Sequence, residues 1–221
     1  MRANDFINNL IPPLKFTDRV KLALSWMEEI RTDILPVVEK GTFKGFITDE
    51  IIYEINNPDL SIAEVELLAS SCVVQMEKHI YEVLRISSEN QVSMVAVLDK
   101  DNKYLGVVSE EDAITAFTDT ISIQSPGGVL VLSMFMTDYS LYDIARVVES
   151  ENAKVLSSFI STDPLDDNKI KVTIKIDQME LRHIKATLER FGYKIIDHYE
   201  EEGGITSDQD RLGNLLRFLD I

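Results

Sequence analysis

Three side chains stand out by type and spacing. Ser109 follows the apolar stretch Tyr104–Val108, and Asp112 comes three residues later within a run of acids. A serine at a helix N-cap and an acid one turn on face the same side, so the pair presents a hydroxyl beside a carboxylate. Thr48 takes the matching place in an earlier stretch, but Ile51 stands where its acid should be. Asp49 and Glu50 point to other faces of that turn and do not replace it. All three residues also suit a purely structural role, as helix caps and a first-turn acid that complements the dipole.

The remaining reactive residues do not assemble into a catalytic or metal-binding pattern. His79, His183 and His198 are far apart, and no cysteine or acid cluster has metal-ligand spacing. The one cysteine, Cys72, has no internal disulfide partner and no base beside it in sequence, so it reads as a small apolar core residue. Gly127-Gly128 lacks the flanking pattern of a phosphate-binding loop. No nucleophile has a base and an orienting group. The chain reads as non-enzymatic, with no metal and no cofactor. Trp26, Met27, Met94, Met134 and Met136 fall in apolar stripes and read as core.

The elements that position Thr48, Ser109 and Asp112 are repeated. Gly45-Phe46-Ile47-Thr48 and Gly106-Val107-Val108-Ser109 each follow an apolar run, Ile34–Val38 and Met94–Leu98. At an offset of about sixty Leu14 falls on Val74, Val20 on Ile80, Ile34 on Met94 and Val37 on Val97; one extra turn residue then shifts the offset. Each unit reads as helix, two strands and a second helix. Thr17 is expected to cap a helix from Val20 to Ile30, and Thr48 one from Asp49 to Ile55. The second unit repeats this with a helix near 79–86, strands 92–98 and 104–108, and a helix 110–117. A short helix from Ile62 to Ala69 is expected between the units.

Ser125-Pro126-Gly127-Gly128 is the clearest linker. Beyond it the pattern reads as strand 129–136, helix 140–151, a hairpin of strands 153–161 and 169–177, helix 179–191 and strand 193–199. That βαββαβ order is ferredoxin-like. Glu200-Glu201-Glu202-Gly203-Gly204 reads as a polar hinge to an amphipathic helix over 209–221, striped by Leu212, Leu215, Leu216 and Leu219.

With 38 acidic and 22 basic residues the formal charge is −16, which opposes nucleic-acid and anionic-membrane binding and disfavours multiply phosphorylated ligands. No apolar run reaches the roughly 20 residues of a membrane span, and the N-terminus lacks a signal-peptide core. Cytoplasm is the expected location.

Residues 1–120 resemble a tandem pair of CBS domains, a Bateman module. The resemblance rests on Leu35-Pro36-Val37-Val38 with Gly45-Phe46-Ile47-Thr48, and on Val95-Ala96-Val97-Leu98-Asp99 with Gly106-Val107-Val108-Ser109-Glu110-Glu111-Asp112. Residues 127–200 resemble an ACT domain, and the combination is similar to the acetoin-utilisation B-type regulatory proteins. The resemblance implies an α+β (α/β) fold with CBS repeats at 1–60 and 61–122, an ACT-like domain at 127–200, and a hinge and short C-terminal helix at 201–221. It implies that Ser109 and Asp112 contact a nucleotide ribose, that Thr48 does so in the weaker first site, and that the strand of Ala96 and Val97 receives the adenine. AMP, ADP, ATP or S-adenosylmethionine are the implied ligands, with a mononucleotide or S-adenosylmethionine favoured over a triphosphate. Asp138, in the loop after the first ACT-like strand, is the candidate for an amino-acid ammonium, although that loop lacks the family's glycine. A homodimer and a regulated enzyme partner are the implied associations. The expected function is a ligand sensor; the alternative is an assembly module whose ligand site has decayed.

Overall fold

The sixty-residue echo is visible in the backbone pairing. The computed structural model describes residues 1–118 and 121–200; the expected C-terminal helix and most of its hinge lie outside the described residues. The chain divides into two units, Met1–Asp119 and Thr120–Ile221. The first contains α1 (Val20–Ile30), β1 (Ile34–Glu39), β2 (Thr42–Thr48), α2 (Asp49–Ile55), β3 (Val73–Gln75), α3 (Ile80–Asn90), β4 (Met94–Leu98), β5 (Tyr104–Ser109) and α4 (Glu110–Thr118). Leu14 pairs in parallel with Val37, and Val74 in parallel with Val97. β1 and β2 form an antiparallel hairpin whose register shifts at Val37/Val38; β4 and β5 do the same at Val97/Leu98. Arg31 and Gln91, sixty apart, both close the preceding helix in the left-handed conformation.

The side chains of the two repeats interlock. Phe43 and Phe46 belong to the first hairpin, yet they pack in the cluster of Val74, Ile80, Val95, Val97 and Val107. Most other buried first-repeat residues, including Leu14, Val20, Leu35, Ile47 and Ile52, form a second cluster. Ile51, at the position that matches Asp112, is packed against that second cluster.

Three expectations are corrected, the first being Met136, which reads as core and is 60% exposed. Thr17 does not cap α1: the N-cap is Arg19 without a side-chain cap, and the free N–H groups of Val20 and Lys21 donate instead to the carbonyls of Leu60 and Pro58. The helix expected over 62–69 is a single 3-10 turn, Ile62–Glu64, held by a Ser61/Glu64 capping box. Beyond it Leu68 is extended, exchanging both backbone hydrogen bonds with Phe46. Two short elements escaped the periodicity, β3 and α5 (Ile121–Gln124), because three or four residues hold too little pattern to read.

In the second unit α5 is followed by β6 (Gly128–Phe135), α6 (Leu141–Ser150), β7 (Val155–Thr162), β8 (Lys169–Ile176), α7 (Arg182–Arg190) and β9 (Lys194–Tyr199). The order βαββαβ is observed, and the sheet runs β7-β8-β6-β9 with every pair antiparallel. Leu130, Leu132, Ile170, Val172, Ile174 and Ile176 of the sheet pack against Ile144, Val148, Ile184 and Leu188 of α6 and α7. Gly127 enters this sheet at φ +153°, where a Cβ would collide with the Ile176 carbonyl; a side chain there would displace backbone. The overall class is mixed α+β. Among the described residues, no helix is long and apolar enough to cross a membrane.

Candidate functional site

Ser109 ends β5, and Asp112 lies in the first turn of α4. The Ser109 hydroxyl donates to Asp112 Oδ2 at 2.6 Å, and Ser109 N–H donates to the same oxygen at 3.2 Å. Asp112 N–H donates back to Ser109 Oγ at 3.0 Å. This is a reciprocal cap, with an aspartate in the place more often held by glutamate. Thr48 caps α2 more loosely, accepting from Ile51 N–H at 3.4 Å.

A third residue joins the pair from far away in sequence. Asn8 Nδ2 donates to Oδ1 and Oδ2 of Asp112 at 3.4 and 3.2 Å. The N-terminal segment is held against the second repeat: Asn8 N–H donates to Val107 O at 2.8 Å, and Ala3 N–H to Lys78 O at 2.8 Å. Ile7 lies over Gly106, where any Cβ would strike it. The glycine of the repeated Gly-apolar-apolar-hydroxyl stretch thus makes room for Ile7 in the second repeat. Sequence reading missed Asn8, since one asparagine 104 residues from its partner leaves no local pattern.

Beside this cluster opens a cavity of about 960 Å³, lined by residues of both repeats. Asn8 and Ser109 line it, and Asp112 sits one hydrogen bond behind them. Met94 and Ile11 supply apolar wall. The charged lining is Glu29, Asp33, Glu110 and Glu111 against Arg31. Glu110 is anchored, its Oε1 accepting from Ser87 Oγ at 2.6 Å. Four carboxylates against one guanidinium repel phosphate and favour a neutral or cationic occupant. The cavity's volume is at the upper end of ordinary small-molecule sites.

The other expected site residues fall elsewhere. Ala96 and Val97 are fully buried in the core and do not line this cavity. They lie on opposite faces of β4, and both faces are covered by protein. Thr48 does not line it either. Asp138 lies in the second unit, on a separate cavity of about 450 Å³ with Lys169 and Lys194. Its carboxylate accepts from Thr137 Oγ1 at 3.2 Å, while Lys169 is paired with Asp166 at 2.8 Å. Cys72 is buried, and burial pushes its thiol up, which keeps it protonated and unreactive. Among the described residues, no group of three or more His, Cys, Asp or Glu is placed to hold a metal ion.

The chain is similar in part to several known proteins. An uncharacterised protein of Methanocaldococcus jannaschii is 28% identical over 80 residues, which is 36% of this chain and 27% of that protein. The chain therefore matches about a quarter of that curated relative's length. A CBS domain pair/ACT domain protein from Thermotoga maritima is 23% identical, covering 54% of this chain and 98% of the other, with a TM-score of 0.49. The CBS domains of a transcriptional regulator from Streptococcus pneumoniae are 21% identical over 52% of this chain and 98% of theirs, with a TM-score of 0.48. Residues 62–119 match the CBS domain family.

Proposed function

We propose that the first unit is a ligand sensor that binds one adenosine-containing molecule per chain beside Ser109 and Asp112. The observation that carries the reading is the hydroxyl–carboxylate pair at the edge of a cavity of suitable size, within the segment that matches the CBS family. Vicinal ribose hydroxyls need acceptors, and a carboxylate with two oxygens suits them. The acidic lining supports S-adenosylmethionine, which brings a sulfonium and an ammonium, over AMP, and AMP over ADP or ATP. In this reading the protein is regulatory and does not catalyse a reaction. The second unit acts as an ACT-like dimerisation domain that passes the change to a partner chain or a regulated enzyme. The exposed Tyr53 and Ile114 on α2 and α4 also fit pairing of two copies.

A thermal-shift panel of S-adenosylmethionine, AMP, ADP, ATP and amino acids tests this. Amino acids belong in it because the smaller cavity sets the Asp138 carboxylate against lysines. Ligand at about one hundred times its Kd adds about 2.7 kcal/mol, roughly 5–10 °C for a chain of this size. The expected order is S-adenosylmethionine first and ATP last. Melts that do not move with any adenosyl compound would defeat the sensor reading and leave the assembly module, for which the completed Ser109–Asp112 cap is sufficient use of both residues.

Asn8 is expected to oppose the ligand, because its amide occupies the carboxylate oxygens the ribose requires. Asn8→Ala should cost the free protein about 1 kcal/mol and tighten adenosyl-ligand binding up to about tenfold in calorimetric titration. Weaker binding in this variant would instead make Asn8 part of the ligand's own hydrogen-bonding set.

A further inference from the structure

One face of the second unit's sheet packs on α6 and α7; the other has an unusual composition for a solvated face. On β8 the buried residues alternate with Lys169, Lys171, Thr173 and Lys175, which point away from the helices. The register sets Phe135, Ser133, Val131 and Val129 of β6 beside them. β7 adds Phe159, opposite Thr173, and β9 adds Lys194 and Tyr199, opposite Ser133 and Val129. A water-facing antiparallel sheet normally carries polar side chains at such positions. Here Phe159, 59% exposed, Thr173 and Val131 form a row across three strands, with Val129 and Tyr199 in the next row. Four lysines surround it in a chain of net charge −16, and Asp197 of β9, opposite Val131, is the acid in that row. Lys175 and Lys194 have no ion-pair partner among the described residues, whereas Lys169 is held by Asp166.

We propose that residues 209–221 of the same chain occupy this face, laying Leu212, Leu215, Leu216 and Leu219 on Val129, Val131 and Phe159. Three observations favour this occupant. Its leucines recur at i, i+3, i+4 and i+7, and a lone helix of that length is marginal in water without a surface to dock on. Residues 201–221 hold Glu201, Glu202, Asp208, Asp210 and Asp220 against Arg211 and Arg217, so their charge complements the lysines. The reach is also sufficient. β9 ends at Tyr199, beside Val129 at the rim of the face. The nine residues 200–208 span up to about 30 Å, and thirteen helical residues extend about 20 Å, comparable with strands of about 26 Å and a sheet about 14 Å wide. The proposal is independent of the adenosyl site.

Methyl-resolved NMR on the full chain tests it, comparing the natural protein with Leu215→Asp/Leu219→Asp and with Lys175→Glu/Lys194→Glu. The Val129 and Val131 methyls are expected to shift in both variants, independently of protein concentration, while the helix-side methyls of Leu130 and Leu132 stay in place. Natural protein should also give cross-peaks between the Val131 methyls and tail leucines. Shifts that appear only as concentration rises would assign the face to a second copy and overturn the intrachain occupant. Unchanged Val129 and Val131 methyls would overturn the docking altogether.

Discussion

Asp112→Ala is expected to weaken adenosyl-ligand binding about ten- to a hundredfold while leaving a folded protein. The carboxylate accepts from Ser109 N–H, Ser109 Oγ and Asn8 Nδ2, and in the sensor reading a ribose hydroxyl takes the place of the Asn8 amide on it. Hydrogen bonds to a charged group contribute about 1.5–3 kcal/mol, the source of that fold-change. The same truncation leaves three donors short of an acceptor in a half-buried setting. The free protein should therefore lose about 1–2 kcal/mol, or roughly 2–8 °C in melting temperature. Titration well below the variant's own melt separates the two effects. A folded Asp112→Ala protein with natural affinity would remove Asp112 from the ligand site.

Phe46→Ala should produce the largest loss of stability, about 3–5 kcal/mol. Phe46 is fully buried and meets Phe43 edge to face, with ring centroids 4.9 Å apart. It also lies where the two repeats share a core, packed among residues of the second repeat. The void would thus weaken both repeats together. Denaturant unfolding is expected to show residues 1–118 losing structure in one transition with a lowered midpoint. Two separated transitions, with the second repeat unaffected, would show that the shared core does not couple them.

Periodicity and repetition make most of the first unit legible in the sequence. The offset that sets Leu14 on Val74 becomes two parallel bridges, and Thr48 and Ser109 cap the two matched helices. The strand and helix order of the second unit was equally readable, because β6 and β8 alternate and Ser140 caps α6. The errors came where local preference competed with distant backbone. Thr17 lost its capping role to carbonyls from residues 58 and 60, and the helix over 62–69 gave way to pairing of Leu68 with Phe46. Such partners lie twenty or more residues away, beyond the reach of a pattern window.

The candidate site divides in the same way. The Ser109–Asp112 pair needed only its spacing and a helix start, since reciprocal capping is a local hydrogen-bond pattern. That Ile51 stands where the second repeat has Asp112 was legible for the same reason. Folding alone brought Asn8 onto Asp112, closed Ile7 over Gly106 and buried Ala96 and Val97. It also gathered Glu29, Asp33, Glu110, Glu111 and Arg31 around one cavity. Local sequence specifies helices, caps and strand faces because those depend on neighbours within a turn or two. Which side chains share a cavity, and with what net charge, depends on contacts between segments up to a hundred residues apart, and only the packed chain sets them.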